Sequence, residues 1–390
     1  MCADRADEEP ITAFDDVIRE GQEPANQLIG QFDYLNSSGR PEAAAVRRLV
    51  DAWLVGYPAF HRPDLIHRLR SRDDVSHRSA LFELMLHALL LRQGFTIVEI
   101  EPQLPNGKAP DFLVEAPDGR RFYLEATIAS GIDNVAAGAD RRMREALQAI
   151  DDVQSPNFFL HLQTRGTPDQ PIATARLRRA VQRFVDELDY DQAVERAEAG
   201  HPPAPVWQHA EHGAHFRIQP VAKNIRRREG RAIGGRIMPG RVIRPEIAIK
   251  SAVEGKAGRY GDIGLPLVIA VNALDEFARV DDAFRALFGT TGVIVSQVGA
   301  ARGVRNRDGA WRGPGGPVYT RSSAVLFVAR FSAWSVGKRS MSLILNPWAR
   351  SPIAGLPLGV EVQEVLDGRL QTEPGQSLRE IFGLPEGWPE

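Results

Sequence analysis

Between Ser76 and Leu91 apolar side chains fall on nearly every side of a helical projection: Leu81, Phe82, Leu84, Met85, Leu86, Leu89 and Leu90. That pattern predicts a buried helix, and Gly94 follows where a C-terminal cap is wanted. The period then changes. Phe95 to Glu101, Asp111 to Glu115 and Arg121 to Ile128 are short β-rich runs separated by Pro-Asn-Gly and Pro-Asp-Gly turns, so three strands are expected. Beyond Asp133 helices (Asp140 to Asp151, Ala175 to Leu188, about Ile247 to Tyr260, Asp281 to Phe288) alternate with strands (Asn157 to Gln163, Leu267 to Val271, Ala324 to Phe331, Met341 to Leu345), and Val206 to Val221 reads as a hairpin. The alternation predicts a layered α/β fold with a mixed central β-sheet flanked by helices. Helical periodicity from Pro41 to Leu54, behind acidic clusters, makes residues 1–70 an acidic tail and helical cap. A core is expected over 71–290, with a basic insertion at about 201–246. Residues 291–390 should add strands and a Pro- and Gly-rich tail that wraps the surface from Pro352.

Composition changes this picture in four places. A chain of 390 residues exceeds what one core usually supports, so one enlarged domain or two domains are expected. The formal net charge of -2 gives no global attraction to polyanions, so any nucleic-acid site must be local. The single Cys2 rules out an internal disulfide framework, and the longest apolar runs are too short to span a bilayer, which together predict a cytoplasmic protein with no membrane partner. Five lysines stand beside 43 arginines, the usage of a GC-rich bacterial genome, so each lysine is conspicuous.

One stretch supplies local positive charge. Lys223, Arg226, Arg227, Arg228, Arg231, Arg236, Arg241 and Arg244 share a Gly-rich segment with Glu229 alone, a composition able to follow a phosphate backbone or to serve as a solvated loop. His209, His212 and His215 are spaced by three, but Gly213 argues against a helix presenting them to a metal. Asn346-Pro347-Trp348 reads as a turn ending a strand. No P-loop, nucleophile elbow or kinase signature is present.

The turn Pro117-Asp118-Gly119 suits a three-residue hairpin loop, and that choice sets a register. Val114 then opposes Phe122, Phe112 opposes Leu124, and Asp111 falls opposite Glu125. One face carries the apolar residues; the other carries the two acids, with Thr127 beyond them. Two carboxylates a few ångströms apart cannot both ionise comfortably without a counter-charge, which a hard cation such as Mg²⁺ (or Mn²⁺) or a nearby arginine supplies. Glu83, inside the apolar helix, is a third acid. Its plain alternative is a solvated stripe with Ser79, His87 and Leu90.

These residues resemble the PD-(D/E)xK, or restriction endonuclease-like, nuclease superfamily, whose core runs helix, three strands, helix, strand. The likeness covers Glu83 on a helix, Pro110-Asp111 opening a strand, and Glu125-Ala126-Thr127 on the next. It implies Asp111 and Glu125 as metal ligands, the Ala126 carbonyl as a third and Glu83 assisting through the metal or its water. It further implies a metal-dependent deoxyribonuclease, with a homodimer or a protein partner encoded nearby as compatible partners. Thr127 stands where the family carries a lysine. Lys256, four residues before Tyr260 on one helical face, and Lys108, three before Asp111, are the candidate replacements. A catalytically inactive nuclease-fold protein serving as a nucleic-acid-binding or protein-interaction module is the alternative.

Overall fold

The structure, a computed structural model, describes residues 11–130, 134–227, 230–237, 244–295 and 301–390, with the backbone only at 134–137, 236–237, 293–295 and 301–303. The chain forms two compact units. The first takes the residues up to 23, 30–131 and 244–390; the second takes 24–29 and 132–243.

The first unit begins with four helices, α1 (Gln31–Ser37), α2 (Pro41–Gly56), α3 (Arg62–Leu69) and α4 (Asp74–Arg92). Asp73 caps α4 by accepting the Ser76 N–H at 2.9 Å, and Gly94 follows it at φ +80°. The all-round apolar surface of α4 has a simple cause. Val46, Val50 and Trp53 of α2 and Leu65 and Leu69 of α3 share its core with the sheet beneath, so most of the helix between Ala80 and Leu90 is buried.

Three antiparallel strands follow, β1 (Thr96–Ile100), β2 (Phe112–Glu115) and β3 (Arg121–Ala129). The register is the one the turn dictates: Phe112 pairs with Leu124, Val114 with Phe122 and Glu115 with Arg121. Ala116 donates to the Arg120 carbonyl at 2.8 Å, and Gly119 takes φ +82°, a value that favours glycine.

The second unit contains α5 (Asn134–Asp151), β4 (Phe158–Arg165), α6 (Thr174–Asp186), α7 (Tyr190–Glu198), β5 (Trp207–Glu211), β6 (Ala214–Ala222) and β7 (Ile233–Ile237). Its sheet runs β5-β6-β4-β7 over its own core, which includes Ile150, Leu160, Leu177, Val181, Phe216 and Ile218. The unit is wider than the insertion expected at 201–246. The glycine-rich basic stretch is also not simply a loop, because β7 lies within it, parallel to β4. Gly234 permits this approach: a Cβ there would sit 2.5 Å from that of Phe159.

The first unit resumes with α8 (Pro245–Ala257), β8 (Leu267–Ala273), α9 (Val280–Phe288), the hairpin β9 (Thr291–Val295) and β10 (Ala301–Arg305), and the short β11 (Arg312–Gly313) and β12 (Gly316–Pro317). Then come β13 (Ser322–Ala329), β14 (Met341–Leu345), β15 (Glu361–Leu366), β16 (Arg369–Glu373) and α10 (Leu378–Phe382). The large mixed sheet has the order β1-β2-β3-β8-β13-β14-β15-β16, with β8 parallel to both β3 and β13. One face buries Phe112, Phe122, Leu124, Val268 and Leu326 with α2 and α4; the other buries Ile269, Val271, Val325 and Phe327 with α8 and α9. The segment after Pro352 does more than wrap the surface, for it adds the edge strands β15 and β16. Every residue of β16 is exposed, so it carries no hydrophobic alternation by which its sequence could announce a strand. Among the described residues no helix is long and apolar enough to cross a membrane.

Candidate active site

One step beyond the Phe112–Leu124 pair the hairpin brings Asp111 to Glu125. The two acids do not simply stand side by side. Asp111 turns back on the neighbouring strand, its Oδ2 accepting the Ala126 N–H at 2.6 Å, while its own N–H donates to Glu125 Oε2 at 3.2 Å. Glu125 is only 2% exposed. Its remaining oxygen, Oε1, accepts Lys256 Nζ in a direct ion pair, and Arg259 Nη1 lies 3.8 Å from the same atom.

The helix geometry explains how Lys256 arrives. Ile249, Val253 and Ala257, spaced by four, bury one stripe of α8 against the face of the sheet that holds Tyr123 and Ala129, and Lys256 sits beside that stripe. Tyr260, one turn on, donates its hydroxyl to the Ala109 carbonyl at 3.4 Å. Burial, then the proximity of Glu125, raises its phenol above the ordinary value. Asp111 is shifted more tellingly. Burial first, then the charges of Glu125 and Glu83, push its carboxyl well above the ordinary carboxylate range, and the Ala126 N–H and then Lys256 oppose that rise only in part.

Glu83 reaches the site from α4 but is held by other groups. Its Oε1 accepts the Tyr57 hydroxyl at 2.7 Å and Arg68 Nη2 at 3.1 Å, and its Oε2 accepts Arg68 Nη1 at 2.6 Å. At 8% exposure it is not on a solvated stripe, and His87 packs against Tyr57 instead, with ring centroids 4.7 Å apart and the rings tilted by 50°. Tyr57, Arg68 and Arg259 are the neighbours that sequence reasoning missed. The cost of burying a charged Glu83 signals that a counter-charge is needed, without saying which arginine provides it.

The other candidates disperse. Lys108 is exposed in the turn before β2, and among the described residues its ammonium has no acidic partner. Thr127 is half-buried on β3, paired with Val271 of β8.

In the basic stretch, Lys223 is buried at 2%, donating to the Ser155 carbonyl at 2.7 Å with its ammonium 4.9 Å from the Phe159 ring centre. It is therefore a core lysine and not a phosphate-facing one. Arg226 pairs with Asp191 at 3.3 Å and stacks on Tyr190, and Arg231 pairs with Asp151 at 2.7 Å. Arg227 adopts φ +62°, its N–H donating to Asn157 Oδ1. Arg236 lies in β7, and its side chain, like Arg228 and Arg241 as a whole, falls outside the described residues. Arg244 pairs with Glu246 at 2.8 Å. The histidines lie on the β5–β6 hairpin, where His209 and His212 are 3.0 and 3.8 Å from Glu211, itself paired with Arg176.

Among the described residues no group of three His, Cys, Asp or Glu side chains converges as a metal cage. No family model, curated protein or solved structure matches the chain.

Proposed function

We propose that Asp111, Glu125 and Lys256 form the centre of a metal-dependent nuclease that hydrolyses phosphodiester bonds, with DNA as its substrate. The observation that carries this reading is the Lys256–Glu125 ion pair, because α8 delivers to the acids the positive charge that the Thr127 position lacks. The order of elements supports it. With residues 132–243 set aside as an insertion, α4, β1, β2, β3, α8 and β8 run helix, three strands, helix, strand, the order of the restriction endonuclease-like core, and β8 pairs parallel to β3.

The donor set fits Mg²⁺ or Mn²⁺, which take one or two carboxylates and keep waters for chemistry. Asp111, Glu125 and the Ala126 carbonyl would hold the ion. When bound it supplies the charge that lets both acids ionise and a water of lowered pKa. The remaining work belongs to the chain. The Ala126 N–H fixes the Asp111 rotamer. Lys256 orients Glu125 and offsets negative charge that grows on a transferring phosphoryl group. Glu83, tied to Arg68 and Tyr57, acts as a positioning residue behind Asp111 and not as a ligand.

The test is digestion of supercoiled, linear and single-stranded DNA, and of RNA, with Mg²⁺ or Mn²⁺, comparing the natural chain with Asp111→Ala, Glu125→Ala and Lys256→Ala. Metal-dependent DNA cleavage that disappears in both acid variants is expected. DNA binding without cleavage under any condition would transfer the fold to the binding-module reading, in which Lys256 serves only to neutralise Glu125.

A further inference from the structure

On the same face of the sheet as Glu125 and Lys256, a cavity of about 580 Å³ opens beside α9, within the range of about 300–1,000 Å³ common for small-ligand sites. Its walls combine two chemistries. Phe284 and Phe288 of α9 stack with centroids 4.4 Å apart, and Trp348, after β14, packs 5.9 Å from Phe288. Phe284 and Trp348 are only half-buried, so ring surface remains open to the cavity. Arg305, Arg307 and Arg312 also line it.

The arginines are the unusual part. Among the described residues none of the three has a carboxylate partner. Arg305 lies over the Phe284 ring at 5.5 Å and donates to the Gly289 carbonyl at 2.9 Å, and Arg307 donates to the Pro314 carbonyl at 3.3 Å. The acids close by are spoken for: Asp282 pairs with Arg285, and Asp308 accepts from the backbone and hydroxyl of Thr290. Burial, then the charges of Arg312 and Arg285, hold the Arg305 guanidinium below its ordinary value. Cations gathered in a concave, partly apolar site without acids call for an anion, and guanidinium groups match the oxygens of a phosphate in paired hydrogen bonds. Open aromatic faces beside them add a platform for a planar ring.

We infer that this cavity binds a nucleotide unit, with the base against Trp348 and Phe284 and the phosphate on Arg312, Arg307 and Arg305. The unit can come from two sources, a free nucleotide or one residue of a single strand, and both present the same base and phosphate. The inference does not depend on the phosphodiesterase reading, since it concerns side chains away from Asp111 and Glu125.

The test uses the full chain in EDTA, where metal-dependent hydrolysis is suppressed, titrated with AMP, adenosine, inorganic phosphate and a short single-stranded DNA, and followed by calorimetry and tryptophan fluorescence. AMP is expected to bind more tightly than adenosine or phosphate, and Arg312→Ala to weaken it by about tenfold or more, the loss of one charge-assisted contact. Trp348→Phe, which keeps a ring, should retain binding that Trp348→Leu loses, with circular dichroism confirming that each variant is folded. Binding of the strand but not of AMP, abolished by Arg312→Ala, supports the site and assigns the unit to a strand. Phosphate binding as tightly as AMP, binding unaffected by Arg312→Ala, or no binding of either probe overturns the inference.

Discussion

Lys256 and Glu125 are 131 positions apart in sequence and yet share a direct hydrogen-bonded ion pair, at a point where Glu125 is almost wholly buried. Removing the lysine therefore leaves a buried carboxylate with Arg259 as its remaining cation. Lys256→Met is expected to lower stability by about 2 kcal/mol, the scale of a hydrogen bond to a charged group, as read by urea unfolding. Lys256→Arg should recover most of that stability. A Lys256→Met protein as stable as the natural chain would mean that the pair contributes nothing to the fold.

The Glu83 cluster should respond in a graded way. Tyr57→Phe removes one hydrogen bond and is expected to cost about 1 kcal/mol, whereas Glu83→Ala takes the buried partner from Arg68, leaving it only the exposed Asp64, and should cost about 3 kcal/mol. Both are measured by thermal unfolding. As Glu83 is read as a positioning residue, calorimetric titration of Mn²⁺ should show metal binding persisting in Tyr57→Phe and failing in Asp111→Ala.

Acid should weaken the first unit through its buried histidines. Burial lowers His77 and pushes His87 down to about 4 from an ordinary value of 6.5, and His87 Nδ1 has no hydrogen-bond partner among the described residues. Folding thus favours the neutral rings. Their contribution is fully present above about pH 6.5 and is lost as the pH falls toward about 4, because the unfolded chain takes up protons first. For His87 the loss is on the order of 3 kcal/mol. His87→Leu should flatten the stability curve in that window, and an unchanged curve would exclude His87 as its source.

Two lysines raised as site candidates should behave as structure and as surface. Lys223→Met is expected to destabilise the second unit by about 2 kcal/mol, since it deletes a buried charged donor to Ser155. Hydrogen exchange localised to β4 and β6 would register it. Lys108→Ala, by contrast, should leave DNA cleavage within about twofold of the natural chain, because its exposed ammonium has no acidic partner among the described residues.

The hairpin was legible in the sequence because Pro117-Asp118-Gly119 fixes a loop length, and the length fixes which residue faces which. Lys256 was legible through its spacing from Tyr260. The partners of Glu83 were not, for Tyr57 follows the end of α2, Arg68 lies on α3 and no local pattern marks a tertiary pair. The extent of the second unit escaped for a related reason: helices and strands alternate on both sides of its boundaries, so the local pattern has no seam. β7 was hidden by glycines that normally signal a loop but here allow close approach to Phe159.

The long separation between β3 and α8 also carries a cost in time. A ribosome delivers Asp111 and Glu125 first, then all of residues 132–243, and only then Lys256. Until that moment the acids have no lysine to let Glu125 be sealed from water, so the strands that carry them cannot reach their final burial. Glu125 can therefore gain its ion pair only once α8 has been made.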